Sequence, residues 1–154
     1  MNAAYRFAHD TTLAAPLARV HELIVDIEHY PQWWPQVRAV AKIDDDNAVV
    51  VCRSALPYDL ELRLTAVERR SPRAEVSIAG PIEGSASWTL SEVAGGTVLH
   101  FEQEVRALGA LRFASYLVRP LLVWNHAVMM RGFDKGARAE LSAGSAARTS
   151  RGSA

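Results

Sequence analysis

The residues best placed to do chemistry are polar side chains on stretches that are otherwise apolar: His9, Gln103, Asn125 and His126. An amide or imidazole in an apolar lining has two outcomes. It pairs with a neighbouring protein group and fixes the core, or it orients a ligand's carbonyl or hydroxyl, because a buried polar group left unpaired is costly. A second pair is Arg53 and Tyr58, flanking Ser54-Ala55-Leu56-Pro57. By alternation Arg53 shares a face with Val49 and Val51, and Tyr58 with Leu60 and Leu62. If those faces turn inward, the guanidinium could stabilise a developing enolate and the phenol could transfer a proton, with Gln103 as a third catalytic candidate. The competing reading is a surface arginine paired with Asp59 or Glu61.

Four tryptophans form the third constellation: Trp33, Trp34, Trp88 and Trp124. Aromatic walls suit a flat, multi-ring or isoprenoid molecule, although for Trp88 alone core packing is the preferred reading. Phosphate-cradling glycine loops, a nucleophile elbow and paired zinc ligands are absent from the sequence. The histidines are scattered singly, so neither a metal site nor a cofactor is expected.

These residues must be positioned by the elements around them. Tyr5 to Leu13 alternates as a strand, and Leu17, Val20, Leu23, Ile24 and Ile27 then recur at helical spacing behind Pro16. Pro31 predicts an end to that helix near His29 or Tyr30, leaving Trp33 and Trp34 on a loop where at least one covers a cavity mouth. Strands are expected over 37–43, 48–54, 58–69, 73–80, 84–90 and 97–107, joined by short turns. The acidic triplet Asp44-Asp45-Asp46 reads as a solvated hairpin turn rather than a calcium loop. A long helix from about Pro120 to Leu141 closes the chain. At about 100° per residue it puts Leu122, Asn125, Met129, Gly132, Phe133 and Gly136 in one sector with His126 on its flank, and Arg131, Asp134, Lys135 and Arg138 opposite. Small residues at Ala66, Gly84, Ala86, Gly132 and Gly136 mean either close backbone packing or open space.

The 154 residues suffice for one domain, with 49% hydrophobic and 22% charged residues and no net charge. No electrostatic attraction for nucleic acid follows, and no segment suits stable membrane insertion. With Cys52 alone and no apolar leader, a cytoplasmic location is expected.

The phrase Asp26-Ile27-Glu28-His29-Tyr30-Pro31-Gln32-Trp33 at the end of the first helix, before a run of strands and a long final helix, resembles the START/Bet v 1-like superfamily. Within it, the chain is similar to the polyketide cyclase/dehydrase and lipid-transport branch, from about Tyr5 to Leu141. The resemblance implies an α+β helix-grip fold, a curved antiparallel sheet wrapped around the C-terminal helix. Residues 1–141 would form one ligand-binding domain and 142–154 a disordered tail. It favours open space over close packing, and thus a cavity between sheet and helix. His9, Trp33, Trp34, Leu62, Trp88, Phe101, Leu122, Asn125, His126, Met129 and Phe133 would line it.

The expected ligand is a hydrophobic small molecule: a polyketide, lipid or isoprenoid. The alternatives are a cofactor-independent aromatase/cyclase or dehydratase, with a polyketide synthase as partner, and a quinone-binding or ribosome-associated helper. The pocket candidates are mostly amides and apolar residues, which favours binding over catalysis.

Overall fold

The computed structural model describes residues 4–117 and 119–151. Strands β1 (Ala4–Leu13), β2 (Val37–Lys42), β3 (Asn47–Cys52), β4 (Leu60–Glu68), β5 (Arg73–Ala79), β6 (Ile82–Val93) and β7 (Gly96–Ala107) form one antiparallel sheet. Its order is β1-β7-β6-β5-β4-β3-β2, so β2 to β7 is a continuous meander and β1 returns to pair with β7. Helices α1 (Leu17–Val25), α2 (Tyr30–Trp33), α3 (Gly109–Leu117) and α4 (Arg119–Arg151) complete the helix-grip arrangement.

Alternation builds the strands. Tyr5, Thr11 and Leu13 are buried on β1 while Ala4, Arg6, Ala8, Asp10 and Thr12 are exposed between them. On β7, Thr97, Leu99, Phe101, Val105 and Ala107 are buried in the same period. The outer face carries cross-strand ion pairs such as Arg6–Glu104 and Arg106–Glu83, which are exposed and contribute little. Register shifts between Val37 and Ala39 and between Ala66 and Glu68 interrupt two ladders. Such bulges bend a strand and raise its twist, curling the sheet around what lies on its inner face.

The first helix departs from the expected outline. It ends at Val25, a 3-10 turn covers Ile27–His29, and a separate short helix holds Tyr30–Trp33 with Pro31 in its first turn. Proline is tolerated there because the N–H it lacks would have no helical partner. Tyr30 donates a hydrogen bond to the carbonyl of Ile24, tying the two segments together. The other departure is at the C-terminus. Helix α4 continues through Arg151, past the end expected at Leu141, while residues 152–154 lie outside the described residues.

Glycines decide how closely α4 lies on α2. A Cβ on Gly136 would collide with the backbone carbonyl of Trp33, and one on Gly132 with the side chain of Gln36. Gly84 on β6, at φ 156°, lies equally close to the Glu104 carbonyl on β7. These three positions are therefore close packing and not open space.

Phe133, fully buried, sits at the centre of the resulting core. Its ring meets Trp33 edge-on at 5.4 Å and Trp34 at 5.0 Å, and stacks on Trp88 at 4.7 Å. Burying a phenyl side chain is worth about 2–3 kcal/mol, and aromatic pairs of this kind add about 1 kcal/mol each. Trp33 and Trp34 are 6% and 5% exposed, so neither caps an entrance.

Candidate functional site

Beside that core the inner face does not fill. A cavity of about 470 Å³ lies between the sheet, α1, α2 and α4. Its wall is apolar: Val50, Leu62, Ile78 and Ala86 from the sheet, Ile24 and Tyr30 above, and Met129 from α4. Trp34, Trp88 and Phe101 supply aromatic surface, with Trp88 and Phe101 rings 4.3 Å apart. Ala66, Ala74 and Ala86 on neighbouring strands leave the volume open, whereas larger side chains would close it.

The cavity is open on the side of its exposed lining residues. Exposed lining residues cluster at Asp26 and Glu28 after α1, at Lys42 and Asp44–Asp46 in the β2–β3 hairpin, and at Arg69 after β4. With Glu68 and Glu75 the rim is acidic, and Lys42 and Arg69 are its only cations. The hairpin is held from within: Asp44 Oδ1 accepts backbone N–H bonds from Asp46 and Asn47 at 2.9 and 2.8 Å. Its carboxyl is held below the usual range, first by the Asn47 side-chain amide and then by these backbone donors. The acidic triplet is thus an Asx-type turn at the rim.

Away from that rim, Gln103 joins Tyr30 and Cys52 as the polar side chains of the lining. Its Oε1 lies 3.0 Å from Nε2 of His126. The imidazole is clamped in turn, stacked on Phe7 at 3.9 Å and an interplanar angle of 9°. Burial, and secondarily the charge of His9, lower its pKa to about 4. At neutral pH the ring is uncharged, and with the Gln103 carbonyl oxygen turned toward it Nε2 is the nitrogen that carries the proton. Cys52 also lines the cavity, but burial pushes its thiol up to about 12, which makes it an inert apolar group.

The other expected polar residues have protein partners instead. His9 bonds through Nε2 to the Asp134 carboxylate at 2.9 Å, and the Thr11 hydroxyl donates to the same carboxylate at 2.5 Å. Asp134 therefore turns toward β1 and away from the solvent sector where a regular wheel puts it. Asn125 accepts the Leu56 N–H at 2.9 Å through Oδ1, and its backbone carbonyl accepts the Ser54 hydroxyl at 2.8 Å. It fastens the loop after β3 to α4 and does not line the cavity. His126 stands behind Gln103, and neither it nor His9 belongs to the wall.

Arg53 and Tyr58 do not converge on the cavity. Val49 and Val51 lie on the outer face of β3, so Arg53, which shares their parity, is exposed. Tyr58 precedes β4, in the loop, and is 38% exposed. Gln103 is thus the one catalytic candidate at the cavity. Of the expected lining residues, Trp34, Leu62, Trp88, Phe101 and Met129 face it. Phe133 and Leu122 pack in or against the core, and Trp33 borders a surface depression of about 240 Å³ with Gln32 and Glu140. Trp124 is half exposed on α4. Sequence reasoning missed the acidic rim, whose Asp26, Glu28 and Asp44–Asp46 are far apart in the chain and meet only in the fold.

Among the described residues, no three His, Cys, Asp or Glu side chains gather to hold a metal, and no helix is long and apolar enough to cross a membrane.

Known structures share this architecture. A START superfamily protein from Mycobacterium smegmatis superposes with a TM-score of 0.71 at 12% identity, over 88% of this chain and 98% of its own. The Zhui aromatase/cyclase from Streptomyces gives a TM-score of 0.72 at 14% identity, over 90% and 94%. A conserved protein from Geobacillus kaustophilus gives 0.75 at 11%, over 90% and 95%. At such identities the likeness is one of fold. No curated protein matches the sequence. The sequence pattern of one family, however, matches residues 5–143, nearly the whole folded unit. This chain belongs to the polyketide cyclase / dehydrase and lipid transport family.

Proposed function

We propose that this protein binds a hydrophobic small molecule, a polyketide, lipid or isoprenoid with a flat or multi-ring portion, in the cavity between sheet and α4. The observation that carries this reading is a 470 Å³ space walled by apolar and aromatic side chains, with Gln103 as a polar group among them. Such a volume is that of a small-molecule site, and its emptying of water by an apolar ligand supplies the driving force. Binding is favoured over catalysis because, among the described residues, no ionisable pair meets inside the rim: His126 is neutral and already engaged, while Arg53 and Tyr58 stand outside. Aldol closure would need a proton acceptor and donor within reach of the substrate.

The test is native mass spectrometry of protein purified from its own host, followed by titration with a neutral apolar fluorophore. Retention of a hydrophobic molecule and saturable one-to-one dye binding are the expected results. A protein that carries nothing and does not bind the dye in its folded state refutes the proposal.

A further inference from the structure

Gln103 lines the cavity away from its acidic rim, and a protein neighbour sets the direction of its hydrogen bonding. The Nε2–H of His126 meets Oε1 at 3.0 Å, which occupies the acceptor end of the amide. With Oε1 rather than the amide nitrogen turned toward Nε2, the neutral imidazole carries its proton on Nε2 and donates to the amide. The amide nitrogen, with its two N–H groups, has no partner among the described residues, and the side chain lines the cavity. His126 cannot swing aside easily, being pressed against Phe7 at 3.9 Å and close to Phe101. The site therefore presents donors and no accessible strong acceptor at that point.

A donor in an apolar wall attracts any oxygen acceptor, carboxylates included, so a second feature is needed to set the class. The rim supplies it. Asp26, Glu28, Asp44, Asp45 and Asp46 gather at the opening, offset only by Lys42 and Arg69, and no cation stands at depth to neutralise a carboxylate. Lys42 and Arg69 are themselves engaged, at 3.4 Å from Asp45 and 3.0 Å from Asp46. A negative ligand would cross an acidic mouth and then lose its hydration beside a neutral amide.

We propose that Gln103, oriented by His126, donates a hydrogen bond to an uncharged carbonyl oxygen on the ligand, and that the site thereby prefers neutral ketones or esters to hydrocarbons and to carboxylates. This rests on the binding function proposed above. Gln103 is the specificity-determining residue, and His126 is a positioning residue that acts through it.

Three probes of matched shape test it: 2-acetylnaphthalene, 2-ethylnaphthalene and 2-naphthoate, each competing with the neutral fluorophore N-phenyl-1-naphthylamine on the full chain at pH 7. In wild type, naphthoate should compete worst. In Gln103→Leu the ratio of ketone to hydrocarbon affinity should fall by about fivefold, the range of one net hydrogen bond. The affinity for 2-ethylnaphthalene should hold or improve. His126→Phe preserves the ring stack on Phe7 and frees the amide, so the same ratio should fall part of the way, which a merely structural role would not produce. Gln103→Met serves as a second apolar variant if Leu unfolds the chain. An unchanged ratio in a folded Gln103 variant, or naphthoate as the tightest competitor, overturns the inference while leaving the binding site in place. If the fluorophore itself never binds, the binding function fails and this inference fails with it.

Discussion

Gly136 of α4 lies directly on the backbone carbonyl of Trp33, with no room for a methyl group between them. That contact sets the height of the long helix above α2, and so the place where Phe133, Trp33 and Trp34 meet. Trp34 reinforces it by donating its indole N–H to the Met129 carbonyl at 3.0 Å. The wall of the cavity is in this sense hung from two backbone contacts.

Gly136→Ala should therefore destabilise the protein by about 2–3 kcal/mol, the overpacking cost outweighing the roughly 1 kcal/mol gained in helix propensity. Gly132→Ala is the control. There the clash is with the end of the Gln36 side chain, which can rotate away, so the net change should stay within about 1 kcal/mol. Urea unfolding of both variants checks the pair, and equal losses would show that the Trp33 carbonyl is not the tight contact.

Met129→Trp should fill the cavity from the α4 side. Met129 lines it and is only half buried, so the larger ring has space to enter. Affinity for a neutral apolar dye should fall at least tenfold, a change of about 1.4 kcal/mol or more. The melting temperature should move little, and a folded variant with wild-type dye affinity would place the ligand elsewhere.

Acidification should unfold the protein partly through His126. Its folded pKa, about 4, lies below the unfolded value of about 6.5, so the unfolded chain binds the extra proton first. Stability unaffected above pH 6.5 is then lost as pH falls toward 4. Between pH 7 and 4.5 this amounts to about 2 kcal/mol from this one group. His29 and His100 act in the opposite sense, their pKa values raised by Asp26 and Asp10, but both are exposed. In His126→Phe the unfolding free energy should depend on pH less steeply across this window, and an identical slope would mean that His126 titrates normally.

Asn125→Ala should leave dye affinity unchanged and cost about 1 kcal/mol of stability. It removes the acceptor for the Leu56 N–H while keeping the backbone carbonyl that holds Ser54. A large loss of binding with the fold intact would return Asn125 to the ligand site.

Arg53→Ala and Tyr58→Phe should leave dye affinity within about twofold of wild type, since both side chains are exposed outside the cavity. A tenfold loss in either would show that the loop between β3 and β4 closes over the ligand.

Periodicity alone determined the frame of this protein. The alternation along β1, β4, β6 and β7 has one polar and one apolar face, so it assigned Leu62, Trp88, Phe101 and Gln103 to the inner surface. The 3.6-residue period of α4 did the same for Met129 and Phe133. On β3 that logic had no purchase. Asn47-Ala48-Val49-Val50-Val51-Cys52 is apolar on both faces, and only pairing with β2 and β4 turns Ala48, Val50 and Cys52 inward and carries Arg53 outward.

What only the tertiary structure decided was the use made of residues that local pattern leaves ambiguous. A small side chain is silent about whether a neighbour approaches or space remains. Gly84, Gly132 and Gly136 received backbone or side-chain neighbours, whereas Ala66 and Ala86 were left facing the cavity. Trp33 and Trp34, expected at a mouth, were buried because α2 turns them onto Phe133. His9 and Asn125 found protein partners, while Gln103 kept its amide toward the cavity, since hydrogen-bond partners come from segments distant in the chain. Pairing of polar groups and filling of space are long-range properties, and no local period encodes them.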